Sequence, residues 1–222
     1  MNDVYDRYHD WLATRTGRPA EVIASLHGPD RDRVRLDAEG LAANNWPANF
    51  PADLAVQRGD RLAWGGYDED RAIYDSPVFV PEAGEARTIH LGIDIFAAAE
   101  TEVFAPLAGR VHSFQDNANV KDYGPTILLE HGFDGLTFWT LYGHLSRNSL
   151  DGLSVGQRFE AGDRIAWLGA AEVNGGWTPH LHFQVILDIM DKSGDYPGVF
   201  KRSERDEWKR ICPDPAGLLG LV

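Results

Sequence analysis

Cysteine is nearly missing from this chain of 222 residues, with Cys212 its only instance. That excludes an internal disulfide and any zinc site built on thiolates, so a metal here must be held by histidines and carboxylates. Positive charge is scarce too. Lysine and arginine number 21 against 34 aspartates and glutamates, a net charge of −13. Nucleic acids and anionic membrane surfaces are both met by clustered cations, so neither is expected as a partner. No apolar run approaches the ~18 residues of a membrane span. The opening Met1-Asn2-Asp3-Val4-Tyr5-Asp6-Arg7-Tyr8 has no basic stretch followed by an apolar one, so no secretory leader is expected and the expected location is cytoplasmic. Internal repeats and low-complexity tracts are also missing, and nothing marks an oligomeric state.

The composition that remains, 43% hydrophobic and 11% aromatic, is that of a globular protein. A chain this long builds a core without cross-links. Val4, Tyr8, Trp11 and Leu12 fall at i, i+4, i+7 and i+8, which predicts a short amphipathic helix over 4–14, stopped by Gly17 and Pro19. Residues 27–60 read as loops and short helices. From Thr88 the texture changes to short apolar runs at 88–96, 102–104, 108–115, 125–131, 136–143, 157–160, 164–169 and 180–189. Asp134-Gly135, Asp151-Gly152 and Ala161-Gly162-Asp163 punctuate them as turns, so an antiparallel all-β unit is expected. Ser203 and Asp206 predict a capping box for a helix over 204–211, ended by Pro213 and Pro215. The expected organisation is an irregular, partly helical N-terminal extension (1–85), a β core (86–190) and a C-terminal tail (191–222) whose short helix packs back on the core.

Chemistry concentrates in three histidine contexts. In His90-Leu91-Gly92-Ile93-Asp94, read as one strand, residues i and i+4 share a face, and Gly92 leaves that face uncrowded. In His180-Leu181-His182-Phe183 the two histidines share a face while Leu181 and Phe183 point to the core. Tyr142-Gly143-His144-Leu145 closes an aromatic strand. Two histidines and one carboxylate are a donor set for catalytic zinc, with a water in the fourth position. The remaining histidines can move protons near neutral pH. His112 and His131 read as structural, His9 and His27 as solvated, and Cys212 as a small core residue. Asp116 and Asn117-Ala118-Asn119 read as a polar loop.

These three motifs, in this order, resemble the lysostaphin or LytM family of zinc metallopeptidases. The stretches Thr101-Glu102-Val103-Phe104-Ala105-Pro106 and Gly156 to Gly169 are similar to the family's connecting text, and the resemblance covers about 88–188. It implies the duplicated hybrid motif, an antiparallel β-sandwich with a groove. It implies one zinc ion held by His90, Asp94 and His182, with His144 and His180 acting on the zinc-activated water and the developing oxyanion. It implies a peptide or peptidoglycan-type substrate, murein-like or glycine-rich. The loop 170–179 is longer than the family's usual turn and carries Trp177, so Trp177, Asn174 and Tyr142 become candidate substrate contacts. The chain also looks like the metallopeptidase-like segment of cytoplasmic proteins fused to aminotransferase-type sequence.

An alternative is a non-catalytic binding or carrier module on the same kind of fold. The glucose-type phosphotransfer carrier also reads His-x-Gly-x-Asp, but it has no use for the carboxylate and the spare histidines found here. A biotinyl or lipoyl carrier needs a lysine at a hairpin tip. Lys121-Asp122 lies in such a loop without the expected flanks. A zinc protein that has lost catalysis is disfavoured, since all five histidine and aspartate positions are intact.

Overall fold

The computed structural model describes residues 3–46, 61–71, 73–74, 79–81 and 83–221. Along the chain run α1 (Val4–Thr14), β1 (Arg31–Arg33), α2 (Ala38–Ala43), β2 (Leu62–Gly65), β3 (Glu69–Asp70), β4 (Arg87–His90), β5 (Ile93–Phe96), β6 (Glu102–Phe104), β7 (Gly109–Asn117), β8 (Gly124–Phe133), β9 (Leu136–Gly143), β10 (Arg158–Phe159), β11 (Arg164–Trp167), β12 (His180–Ile186), β13 (Val199–Lys201), α3 (Arg205–Ile211) and α4 (Ala216–Leu219). The fold is mainly β. An eight-stranded sheet runs β1-β2-β5-β12-β9-β8-β7-β10, beside small sheets β11-β6 and β13-β4-β3.

Period-two alternation explains how both faces of the large sheet are buried. Ile127 and Leu129 of β8 point into a cluster with Val103 of β6 and Ile165 of β11. Leu128 of β8 and Leu141 of β9 point the other way, onto Ile89 of β4 and Phe200 of β13. The small sheets therefore cover opposite faces. The β8–β9 hairpin turns at Asp134 and Gly135, whose φ values of 50° and 77° suit the primed two-residue turn. Helix α1 matches the predicted span. Its N-cap Asp3 accepts from the Asp6 N–H at 3.0 Å, Tyr8 is fully buried, and Trp11 stacks on Phe133 at 5.1 Å.

Three expectations change. The run 88–96 is not one strand. The chain leaves the small sheet after His90, crosses at Leu91-Gly92 and enters the large sheet at Ile93, so His90 and Asp94 belong to different sheets. No capping box forms before α3. Ser203 gives its backbone N–H (3.1 Å) and its hydroxyl to Glu85 instead, tying the C-terminal tail to the approach to β4. Within 27–60, β1 forms a strand and α2 a short helix, while 47–60 lie outside the described residues. β1 pairs in parallel with β2, and β2 pairs antiparallel with β5, placing Gly65 opposite Asp94. Strands preceding residue 85 thus extend the sheet that carries the histidine motifs.

No helix among the described residues is long and apolar enough to cross a membrane.

Candidate functional site

Strand β12 lies between β5 and β9 in the large sheet, with His182 opposite Asp94 on one side and Gly143 on the other. His180, His182 and Gln184 share the face turned to a cleft, while Leu181, Phe183 and Val185 fill the core. His90 arrives from β4, above this face. A side chain at Gly92 would overlap the His182 ring, so the crossing between the sheets needs glycine for contact with the ring.

His90, Asp94 and His182 converge. His90 Nε2 lies 2.9 Å from His182 Nδ1 and 3.3 Å from Asp94 Oδ1, and His182 Nδ1 lies 3.2 Å from Asp94 Oδ1. All three residues are buried. Their outer atoms decide what the inner ones carry. His90 Nδ1 donates to the Gly66 carbonyl at 2.8 Å, which leaves a lone pair on Nε2. Gln184 commits its amide nitrogen to the Pro197 carbonyl (3.1 Å) and Cys212 Sγ (3.1 Å), so its oxygen accepts from His182 Nε2 at 3.0 Å and a lone pair is left on Nδ1. Three acceptors then face one another with no proton between them. Donors 2.0–2.2 Å from a tetrahedral cation stand roughly 3.3 Å apart, close to the spacings found here. The residues fit a divalent metal.

The electrostatics agree. Burial, followed by the nearby Arg71 charge, pushes His90 down to about 4, so its imidazole stays neutral. For Asp94 burial pulls upward, but His90 and Arg71 outweigh it and hold the carboxyl well below the usual range. Asp94 is thus a carboxylate beside the neutral imidazole of His90, the protonation state a metal requires of both.

His144 and His180 form a second pair, ring centroids 4.2 Å apart. Each is aimed by a backbone carbonyl. His180 Nδ1 donates to Thr178 at 2.6 Å and His144 Nδ1 to Asn174 at 2.9 Å. Each Nε2 is left with a lone pair, and that of His180 lies 3.8 Å from Asp94 Oδ1. Burial lowers both pKa values, His144 well below the ordinary value, with the neighbouring His180 adding to the effect. His144 sits at φ 62°, a conformation uncommon outside glycine, held by its N–H to Tyr123 and its carbonyl from Gly169, both at 2.8 Å.

The cleft has apolar walls from Tyr74, Phe79, Phe96, Trp177 and Val199. Trp177 stands at this wall, its Nε1 donating to the Asp122 carbonyl at 3.3 Å and Lys121 Nζ 3.9 Å above its ring. Two expected substrate contacts are corrected. Tyr142 is fully buried on the core face of β9, hydrogen-bonded to Thr140 and edge-on to Phe183, away from the cleft. Asn174 is also fully buried. Its side chain ties the loop 169–177 together, donating to Gly169 O at 3.1 Å and accepting from Trp177 N at 2.9 Å, while its carbonyl aims His144. His27 is not free in solvent either, since its Nε2 meets the Leu219 carbonyl at 2.7 Å.

Sequence reasoning missed Gln184 and Arg71. Gln184 was within reach, two residues beyond His182 on the same strand face. Arg71 carries no local signal. It is 2% exposed, and its Nη1 donates to Asp94 Oδ2 at 2.6 Å.

Residues 88–193 match the sequence profile described as peptidase family M23. Among solved structures, the lysostaphin catalytic domain from Staphylococcus simulans is 25% identical. The match covers 60% of this chain and 80% of that one, with a TM-score of 0.43. A zinc-containing peptidase from Vibrio cholerae is 28% identical over 48% of this chain and 29% of that one, with a TM-score of 0.37. The chain thus spans less than a third of the Vibrio protein. No curated protein matches significantly.

Proposed function

We propose that the chain, whose residues 88–193 match peptidase family M23 and resemble the lysostaphin and LytM type, is a zinc metallopeptidase cleaving murein-like or glycine-rich peptides. The reading rests chiefly on the three facing acceptors His90 Nε2, His182 Nδ1 and Asp94 Oδ1, whose outer atoms are all engaged. Such an arrangement is repulsive without a cation between its members.

His90, Asp94 and His182 would hold the zinc. When bound there, zinc supplies Lewis acidity for a water and for the scissile carbonyl. His180 is the nearer of the two remaining histidines and takes the attacking water's proton at Nε2. Its Nδ1–H stays on Thr178, so the ring does not swing as it protonates. Once protonated, that Nε2–H is a donor that returns the proton to the leaving amine. His144, beside it, has its Nδ1–H on Asn174, so it assists the developing oxyanion only when its own Nε2 has taken up a proton to donate. Phe96 stacks on His180 at 5.1 Å, and Trp177 closes the wall beyond His144, both excluding water from the proton path.

Purified protein is expected to hold one zinc per chain, and His90→Ala or Asp94→Ala to lose it. The zinc-loaded protein is expected to cleave oligoglycine or murein-type peptides. Full zinc retention in both variants, or no cleavage of either peptide class by the loaded wild type, would overturn the reading.

A further inference from the structure

We propose that Arg71, in the segment preceding the M23 stretch, is a positioning residue for the metal centre: it fixes Asp94 so that Oδ1 alone faces the two histidines. The inference rests on the metal reading above and extends it to residues outside 88–193.

The geometry is that of a buried clamp. Arg71 Nη1 takes Asp94 Oδ2 at 2.6 Å, while Nε takes Glu69 Oε2 at 3.1 Å, so one guanidinium bridges two carboxylates. The Tyr74 hydroxyl also accepts from Nη1, at 3.1 Å. Glu69 is itself fixed, because its Oε2 accepts from the Leu36 N–H at 3.2 Å. The remaining nitrogen, Nη2, packs on the backbone of Gly66, where any Cβ would collide with it and where φ is 108°. The carbonyl of that same Gly66 receives His90 Nδ1–H. The segment from Gly66 to Arg71, which includes β3, therefore holds two members of the donor set, His90 through a carbonyl and Asp94 through a guanidinium. β2 and β3 set the segment's position, with Gly65 paired opposite Asp94 and Glu69 opposite His90.

The consequence is specific. A carboxylate with both oxygens free can rotate or chelate through both. Occupying Oδ2 with a charged donor leaves one oxygen for a metal and fixes its direction. A cation this deeply buried is costly unless its position matters to its partners, and two carboxylates and a phenol are arranged around it.

The test is zinc affinity of the full-length protein, measured by competition with a chromophoric chelator. Apo thermal melts report folding, and the cobalt(II) absorption spectrum reports coordination. Arg71→Met, which keeps the stem and removes the donors, is expected to bind zinc about 10–100-fold more weakly and to change the cobalt spectrum. Arg71→Lys keeps the charge but cannot reach Glu69 and Asp94 together, so a smaller loss with the same spectral change is expected. A folded Arg71→Met protein with wild-type zinc affinity and spectrum overturns the inference. If Arg71→Met does not fold, wild-type affinity and spectrum in Arg71→Lys overturn it instead. Wild-type protein that binds no zinc defeats the metal reading itself. Zinc bound by wild type and lost in His90→Ala, but unaffected at Arg71, defeats only the positioning role.

Discussion

Residues 88–193 and residues 65–74 meet at Asp94 from two sides and bring different things to it. The first region supplies every donor and every spare histidine: His90, Asp94, His144, His180 and His182. The second supplies none. It provides a carbonyl at Gly66 and a guanidinium at Arg71, each spent on orienting a donor from the other region. Chemistry and orientation are thus held by separate stretches of chain. Residue types that do chemistry recur as short motifs, because neighbouring strand positions can share a face. Groups that orient them need only arrive at the right point in space, and a carbonyl from any residue type serves.

The sharpest way to break this division is to remove function without touching either metal-holding layer. His144→Ala and His180→Ala are expected to keep zinc and to lower kcat/KM by roughly 10²–10⁴, about 3–5 kcal/mol in the barrier. Arg71→Met should do the reverse, weakening zinc first and losing rate only as the metal leaves. Zinc content beside kcat/KM at saturating zinc separates the two. Zinc lost from His180→Ala but kept in His182→Ala would exchange the roles of those histidines.

His90 in the site and His131 outside it are shifted alike. Burial pushes both His90 and His131 down to about 4. His131 lies in the core of the β8–β9 hairpin, its Nδ1 donating to Ala108 O at 2.9 Å and its Nε2 meeting the Thr140 hydroxyl at 2.8 Å. In the unfolded chain both rings take up protons as pH falls through ~6.5, while in the folded chain they stay neutral until much lower pH. Stability is therefore full above ~6.5 and lost as pH falls toward 4, by about 2 kcal/mol per ring between pH 6.5 and 5. Asp195 and Asp214, raised by burial, act in the opposite direction. Denaturant titrations of the apo protein should show the decline, and His131→Gln should remove one ring's share while leaving zinc binding intact. An unchanged slope in that variant would mean that His131 titrates as in water.

How much of this was legible follows the same division. The span of α1 and the strands over 102–104 and 136–143 could be read from periodicity and turns, because local alternation decides them. The three histidine motifs were legible for the same reason. His90 and Asp94 do converge, yet not as neighbours on one strand face. The chain crosses between sheets at Gly92, and nothing in five residues distinguishes a crossing from a continuous strand. Tyr142 was misplaced because alternation fixes that two faces exist but not which one meets the cleft. Arg71, 23 residues before Asp94, was illegible because its partner is chosen by the pairing of β2 with β5 and of β3 with β4.

The smallest effect asks how far the orienting region extends. Helix α2 precedes β2 and is capped by Asp37, whose Oδ1 accepts from the Gly40 N–H at 2.8 Å. Its buried Leu41 packs in the cluster with Tyr74 and Trp177 that backs the cleft. Asp37→Ala removes an N-cap and is expected to cost about 1 kcal/mol of stability. If only the segment from Gly66 to Arg71 orients the metal centre, zinc affinity stays at the wild-type value despite that loss. The link to watch is the Leu36 N–H, which steadies Glu69 at 3.2 Å and so bears on Arg71. Zinc affinity falling along with stability in Asp37→Ala would extend the orienting region back to residues 36–37, through that bond or through the Asp37 charge acting on Arg71. Unchanged affinity with a lowered melting temperature confines it to residues 65–74.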